Sequence, residues 1–80
     1  MQIDPYVPPP EPPRGWALSH QEQVVADLVS LGLTNRQIAR RMFLSHHTVN
    51  FHLRQIFRKL GIFSRAQLAG LVQARLRHGQ

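Results

Sequence analysis

The chain has 80 residues, a formal net charge of +6 and no cysteine. This length allows one domain without the deep pocket of most enzymes, and the lack of cysteine excludes disulfides, a thiol nucleophile and thiolate metal sites. No signal peptide and no apolar run of the roughly 20 residues that cross a bilayer is present, so a cytoplasmic location is the default expectation.

The charges are unevenly distributed along the chain. All four acids (Asp4, Glu11, Glu22 and Asp27) precede Leu28, whereas nine of the ten basic residues follow it. A basic stretch without acids suits a polyanionic partner such as nucleic acid. The alternative is a basic surface that only aids solubility, and composition alone leaves both open.

Residues 1–15 contain all six prolines of the chain. Each proline fixes its own φ angle, lacks an amide hydrogen and restricts the residue before it, so this segment is predicted to be a disordered, extended linker. Residues 16–80 are expected to form the folded domain.

Two capping boxes predict where the first two helices begin. Ser19 is followed three residues later by Glu22, and Thr34 by Gln37, and in each pair the two side chains satisfy backbone amides reciprocally. Gly32 is well placed to end the first helix. The side chains expected to face the core are Val24, Val25, Leu28 and Val29 in the first helix and Ile38, Ala39 and Met42 in the second.

The second helix is short because Ser45 already caps the third. Two helices joined by so short a turn cross steeply, which is the helix-turn-helix geometry, and Phe43 and Leu44 in the turn are expected to close the core. The third helix is predicted to run from Ser45 to Leu60 and to end at Gly61. Its apolar stripe has the spacing of a helix packed on a core and consists of Val49, Leu53, Ile56, Phe57 and Leu60.

The opposite side of the third helix carries amide, aromatic, guanidinium and imidazole groups and no acid. These residues are His47, Asn50, Phe51, Arg54, Gln55 and Arg58. A helix with an apolar back and such a polar face can pack into a domain and also enter a DNA groove. The stretch from Ser45 to Leu60 is therefore predicted to be a recognition helix.

A fourth helix is predicted after Gly61. Ile62 and Phe63 are expected core contacts in the loop, and Ser64 with Gln67 predicts a third capping box. The large aliphatic side chains on one face of this helix, Leu68, Leu71, Val72 and Leu76, exceed what so small a core needs, so part of them is expected to form an interface. The predicted fold is all-α, a small four-helix bundle that contains a helix-turn-helix.

The stretch from Gly32 to Ala69 resembles the LuxR-type helix-turn-helix domain of bacterial transcriptional regulators, and the resemblance covers roughly residues 17–76. The matching positions are Gly32, Leu33, Thr34, Asn35, Ile38, Ala39, Leu44, Ser45, Thr48, Val49, His52, Lys59, Leu60, Gly61, Ser64 and Arg65. The resemblance implies sequence-specific binding of double-stranded DNA in the cytoplasm, at the nucleoid. It implies no enzymatic activity and no cofactor.

The resemblance also implies roles for individual residues. The expected base contacts are Asn50, Phe51 and Arg54. The expected contacts with the DNA backbone are Thr34, Asn35, Ser45, His47, Thr48, Arg58 and Lys59. The last helix is expected to form a homodimer interface through Leu68, Leu71, Val72 and Arg75. RNA polymerase is a further candidate partner.

The side-chain chemistry indicates what each base contact would read. The planar fork of Arg54 fits guanine O6 and N7, the amide of Asn50 fits adenine N6 and N7, and Phe51 offers only apolar surface, for which a thymine methyl is the natural partner. Packing against another domain is the alternative for Phe51. Many family members carry lysine where Asn50 stands, and this departure affects the expected target sequence rather than DNA binding.

Other functions are less well supported by the sequence. His46, His47 and His52 are close in sequence but lack a nearby cysteine or carboxylate, so no metal site is predicted, and no serine has the partners of a catalytic nucleophile. The second hypothesis is a basic interaction or membrane-surface module without sequence-specific DNA binding. Three capping boxes favour separate packed helices over the single continuous amphipathic helix that this hypothesis needs.

Overall fold

A computed structural model of the chain describes residues 18–78. Within that range four α-helices follow one another without any β-strand: α1 (His20–Ser30), α2 (Asn35–Met42), α3 (His46–Leu60) and α4 (Arg65–His78). The all-α prediction is confirmed. The linker predicted for residues 1–15 lies outside the described residues.

The first two helices begin at the predicted capping boxes. At α1 the Ser19 hydroxyl accepts from the Glu22 amide at 3.2 Å, and the Glu22 carboxylate accepts from the Ser19 amide at 2.9 Å. At α2 Thr34 and Gln37 form the same reciprocal pair, with distances of 3.1 and 2.8 Å. Both helix starts are thus satisfied by local side chains, as the sequence predicted.

The other two helices also begin at hydroxyl caps. The Ser45 hydroxyl accepts from the Thr48 amide at 3.1 Å at α3, and the Ser64 hydroxyl accepts from the Gln67 amide at 3.1 Å at α4. The predicted third capping box is incomplete, however. The Gln67 side chain accepts from the Phe63 amide at 2.7 Å instead of from Ser64, so it stabilises the loop that leads into α4.

Helices α1, α2 and α3 end in the same backbone closure. A residue in the left-handed region (Gly32 at φ 91°, Phe43 at φ 58° and Gly61 at φ 68°) follows each helix. The next amide then donates to the carbonyl five residues earlier: Leu33 to Leu28, Leu44 to Ala39 and Ile62 to Phe57, at 3.2, 2.8 and 3.0 Å. This is the Schellman closure, in which glycine is the usual left-handed residue. Phe43 is an exception.

Two predicted core contacts are wrong. Phe43 is 93% exposed and Phe63 is 88% exposed, whereas their neighbours Leu44 and Ile62 pack on or in the core. At the ends of α2 and α3 one of two consecutive apolar residues lies inward and the other outward. At the end of α1 the two apolar residues flank Gly32: Leu31 is 71% exposed, whereas Leu33 packs on the core.

The core lies around α1, which contacts each of the other helices, while α2 also packs on α3. All four helices contribute to the core. Its buried apolar residues are Leu18, Val25, Ala26, Leu28, Val29, Ile38, Ala39, Val49, Leu53, Ile56, Ile62, Leu68 and Val72. Val24, Met42, Phe57 and Leu60, which the sequence also placed inward, are partly buried at its edge. The packing fixes the rotation of α3 about its axis and therefore decides which side faces solvent.

Candidate nucleic-acid interface

The predicted recognition helix presents a continuous polar strip to solvent. Val49, Leu53 and Ile56 are buried on one side of α3, and the side chains on the opposite side are exposed. The exposed strip consists of His47, Asn50, Phe51, Arg54 and Arg58. The structure therefore brings the three predicted base contacts together on one face of a helix whose other face is anchored in the core.

The helix that carries this strip and its two neighbours along the chain contain no acid. Both acids of the described residues, Glu22 and Asp27, lie on α1, and no carboxylate side chain occurs in α2, α3 or α4. Three exposed arginines lie on α2: Arg36, Arg40 and Arg41. A surface with one sign of charge attracts a polyanion and accelerates its encounter with the protein.

Hydroxyl groups lie at the amino ends of α2 and α3. Thr34 and Ser45 are exposed, and Thr48 is half-buried with its hydroxyl 3.0 Å from the Ser45 hydroxyl. The amino terminus of a helix also offers unpaired backbone amides and the positive end of the helix dipole. These two helix starts therefore have the donors that a phosphate group requires.

A side-chain network connects Asn50 to the start of α4. The Asn35 amide nitrogen donates to Oδ1 of Asn50 at 2.8 Å. Arg65 donates to Oδ1 of Asn35 at 2.5 Å and to the Leu33 carbonyl at 2.7 Å. Asn35 was predicted to contact phosphate, but the protein itself engages both its amide oxygen and its amide nitrogen. Sequence reasoning did not find the role of Arg65, because no local pattern connects positions so far apart in the chain.

Lys59 does not lie on the polar strip. Its ammonium group is 2.7 Å from the carboxylate of Glu22 on α1. Burial opposes ionisation of Glu22, but hydrogen bonds from Lys59 and Ser19 outweigh it and hold the pKa of this carboxyl below its usual value. This ion pair assigns Lys59 a role in the packing of α3 on α1, and its contact with the DNA backbone stays a prediction.

The predicted dimer interface also needs correction. Leu68 and Val72 are 0% and 1% exposed in the single chain, so both are core residues and have no surface for a partner. Leu71 is 38% exposed and Leu76 is 59% exposed on the outer side of α4, and Arg75 is also exposed. The periodicity showed that α4 is apolar but did not show which side chains the monomer itself buries.

The histidines do not converge. The rings of His46 and His47 have their centroids 4.5 Å apart, and His52 contacts Phe51 edge-on at 5.9 Å. Across residues 18–78 no three metal-ligating side chains form a group that could hold an ion. None of the four helices in this range has the length and apolar character needed to cross a bilayer.

Three features together define the class of protein: a short α2, a tight turn, and an α3 with a buried back and an exposed polar front. This is a helix-turn-helix domain. The sequence pattern of the bacterial regulatory proteins of the luxR family matches residues 17–72. The chain belongs to this family, whose members are transcriptional regulators and not enzymes.

Several bacterial regulators are similar to the chain. An HTH-type transcriptional regulator of Mycobacterium bovis is 50% identical over 58 residues, which are 71% of this chain and 7% of that protein. The DNA-binding transcriptional activator DevR/DosR of Mycobacterium tuberculosis is 46% identical over 52 residues, 65% of this chain and 24% of the activator. The two-component response regulator PprB of Pseudomonas aeruginosa is 42% identical over 60 residues, 75% of this chain and 22% of the regulator. The chain thus spans between 7% and 24% of the length of these relatives.

Proposed function

We propose that this domain binds double-stranded DNA sequence-specifically, with α3 in the major groove. The observation that carries the proposal is the acid-free strip of Asn50, Phe51 and Arg54 on a helix held by a buried back. A groove about 12 Å wide admits one α-helix, and the exposed strip would then face the base edges. The name of the DNA-binding activator DevR/DosR, which is 46% identical in the matched region, supports the same function.

Each base contact has a chemical partner. The Arg54 guanidinium can donate two parallel hydrogen bonds to guanine, a contact worth about 1–3 kcal/mol of discrimination. Phe51 is 51% exposed, so a thymine methyl group can cover an apolar surface that is otherwise hydrated. Asn50 supplies an amide for an adjacent base. These three residues carry the proposed sequence preference.

A second group of residues would hold the domain on the DNA backbone. Thr34, Ser45 and Thr48 offer hydroxyl groups near two helix amino termini, and His47 and Arg58 flank the base-reading residues on α3. Phosphate contacts set affinity, orientation and salt dependence but carry no sequence information directly. Loss of one of them is expected to weaken binding to all sequences alike.

We further propose that two copies bind together on DNA through the outer side of α4. The exposed residues that would form this dimer interface are Leu71, Arg75 and Leu76, since Leu68 and Val72 are buried in the core. A helix-turn-helix dimer places its recognition helices about 34–36 Å apart, which is one turn of DNA. The proposed site therefore has two half-sites related by two-fold symmetry. RNA polymerase is a candidate partner for the surfaces that DNA leaves free, and binding would occur at the cytoplasmic nucleoid.

The test is selection of random duplexes by the domain, followed by titration of the selected site at several salt concentrations. A two-fold-related consensus is expected, and Arg54→Ala should remove the preference at one base of each half-site. Arg77→Ala, which removes an exposed arginine near the end of α4, is the matched control and should retain the whole consensus. Weak, steeply salt-dependent binding without a consensus would contradict the proposal. Binding to anionic vesicles in the same preparation would then favour the membrane-surface module.

A further inference from the structure

We infer that Arg65, outside the recognition helix, is a positioning residue that sets which base edge Asn50 reads, acting through Asn35. This inference rests on the proposed function, since it needs Asn50 to face a base. It differs from the role of a phosphate contact, because the guanidinium of Arg65 is directed into the protein and is half-buried.

The contacts form one continuous path. Arg65 is the first residue of α4, Asn35 is the first residue of α2, and Asn50 lies in the exposed strip of α3. One guanidinium nitrogen donates to the Asn35 oxygen at 2.5 Å, and the other donates to the Leu33 carbonyl at 2.7 Å. Asn35 then donates to the Asn50 oxygen at 2.8 Å. Two anchor points hold the guanidinium, so it cannot rotate away from Asn35 without losing both.

The donor-only character of arginine fixes the direction of this path. A guanidinium has five N–H groups, no acceptor and a charge that persists at any physiological pH. Asn35 must therefore present its oxygen to Arg65, which leaves its NH₂ group for Asn50. Asn50 must in turn present its oxygen to Asn35. An isolated asparagine could present either end of its amide, but this network selects one.

The selected orientation leaves the Asn50 NH₂ group for the DNA. In the major groove the acceptors are N7 of either purine, O6 of guanine and O4 of thymine, whereas the exocyclic amino groups of adenine and cytosine are donors. We therefore expect Asn50 to favour bases with acceptor edges, guanine and thymine, over cytosine. This modifies the adenine contact expected from the sequence, which needs the amide oxygen as well.

Asn35→Asp tests the inference because it should reverse the direction of the hydrogen bond between residue 35 and Asn50. The new carboxylate still accepts from Arg65, so the contact that holds α4 to α2 is retained. It cannot donate to Asn50, however, so the Asn50 amide should turn its NH₂ group toward Asp and its oxygen toward the groove. The preference at that base should move from guanine or thymine toward adenine or cytosine, a change of roughly tenfold in the ratio of selected bases.

The experiment is duplex selection with the wild-type chain and four variants, each checked for folding by thermal melting. Asn50→Ala identifies the base position that Asn50 reads. Asn35→Asp should then reverse the base preference at that position alone. Arg65→Met should weaken the preference there, because Asn35 can then present either end of its amide to Asn50. Gln37→Glu is the matched control: it adds the same charge to α2 and keeps the oxygen that accepts from Thr34, so it should weaken binding without changing any base preference.

Each outcome decides the question. An inverted position in Asn35→Asp, with the position read by Arg54 unchanged, supports the inference even if Arg65→Met proves too unstable to assay. An unchanged position in a folded Asn35→Asp overturns the inference but leaves the proposed function intact. An Asn50→Ala variant that alters no position also overturns it. A wild-type chain without any consensus overturns both.

Discussion

The two sides of α3 follow different rules. On the back, Val49, Leu53 and Ile56 are buried, and Lys59 is paired with Glu22 of α1. On the front, arginine, amide and aromatic side chains are exposed with no acid in the same helix or its two neighbours along the chain. Folding therefore depends on one side of α3, and the proposed recognition of DNA depends on the other. Substitutions on the back should change the free energy of unfolding, and substitutions on the front should change binding.

Truncation of a side chain on the back of α3 should change the free energy of unfolding most. Ile56→Ala removes a side chain that is 0% exposed, and such truncations cost about 2–5 kcal/mol of unfolding free energy. Urea denaturation measures the loss. Arg58→Ala, two residues further along on the front, is the control and should stay within about 0.5 kcal/mol of the parent chain. Equal losses of unfolding free energy in the two variants would show that the front of α3 contributes to stability as much as the back.

On the front, Arg54→Ala should leave the melting temperature unchanged and weaken binding to the selected site. The expected loss is about 1–3 kcal/mol, confined to the base that Arg54 reads. Arg58→Ala should weaken binding to every sequence and lower the salt dependence by about one counterion. The two are distinguished by titrating each variant against the selected site and single-base variants of it. A uniform loss for Arg54→Ala would reassign it to the DNA backbone.

The ion pair on the back should make stability depend on pH. Because the pKa of Glu22 is lower in the folded chain, its contribution is fully present at neutral pH and is lost as the pH falls below the ordinary carboxyl pKa and through the folded value. Glu22→Gln should cost about 1 kcal/mol at neutral pH, a figure reduced because Lys59 is partly exposed. The variant should also lose less stability on acidification than the parent chain.

Thermal melts from neutral pH to about pH 3 would show this difference, since the interval includes the reference carboxyl value. Asp27→Asn removes the same charge from α1 without contacting Lys59, so it is the matched control. Parallel curves for Glu22→Gln and the parent chain would contradict the assignment of the ion pair to stability.

A smaller change in binding should follow from the loss of one thymine methyl group that faces Phe51. Replacing the thymine read by Phe51 with uracil should weaken binding of the parent chain by about 0.8 kcal/mol, the value of one buried methylene. The same replacement should have no effect on Phe51→Ala, whose melting temperature should match that of the parent chain. An equal effect of uracil on both proteins would place Phe51 away from the thymine methyl and favour a protein partner for it.

Local chemistry made much of the fold predictable from the sequence. Hydroxyl caps marked the helix starts, and Gly32 and Gly61 marked two of the ends. The prediction was wrong where two apolar residues are consecutive at a turn, as at Phe43, because composition cannot show which of the two the closure turns inward. A glycine would have indicated the left-handed residue, and phenylalanine gives no such signal.

The candidate site was predictable only in outline. Helical periodicity identified the front of α3, because the buried and exposed residues alternate with the helical turn. It could not identify the contact between Asn35 and Asn50 or the role of Arg65, which depend on how three helices cross. It also could not separate Leu68 and Val72 from Leu71, since the angle of α4 on α1 decides which of them the core covers.

The absence of acids beyond α1 has a consequence for the free domain. Its basic side chains repel one another when no polyanion is present, and this repulsion destabilises the folded state. A bound polyanion neutralises the charges and removes the repulsion. A ligand that binds only the folded state stabilises it by about 2.7 kcal/mol at a concentration one hundred times its dissociation constant. DNA would then stabilise the fold itself. A core variant that is half unfolded without DNA would become largely folded in the presence of its selected site at high concentration.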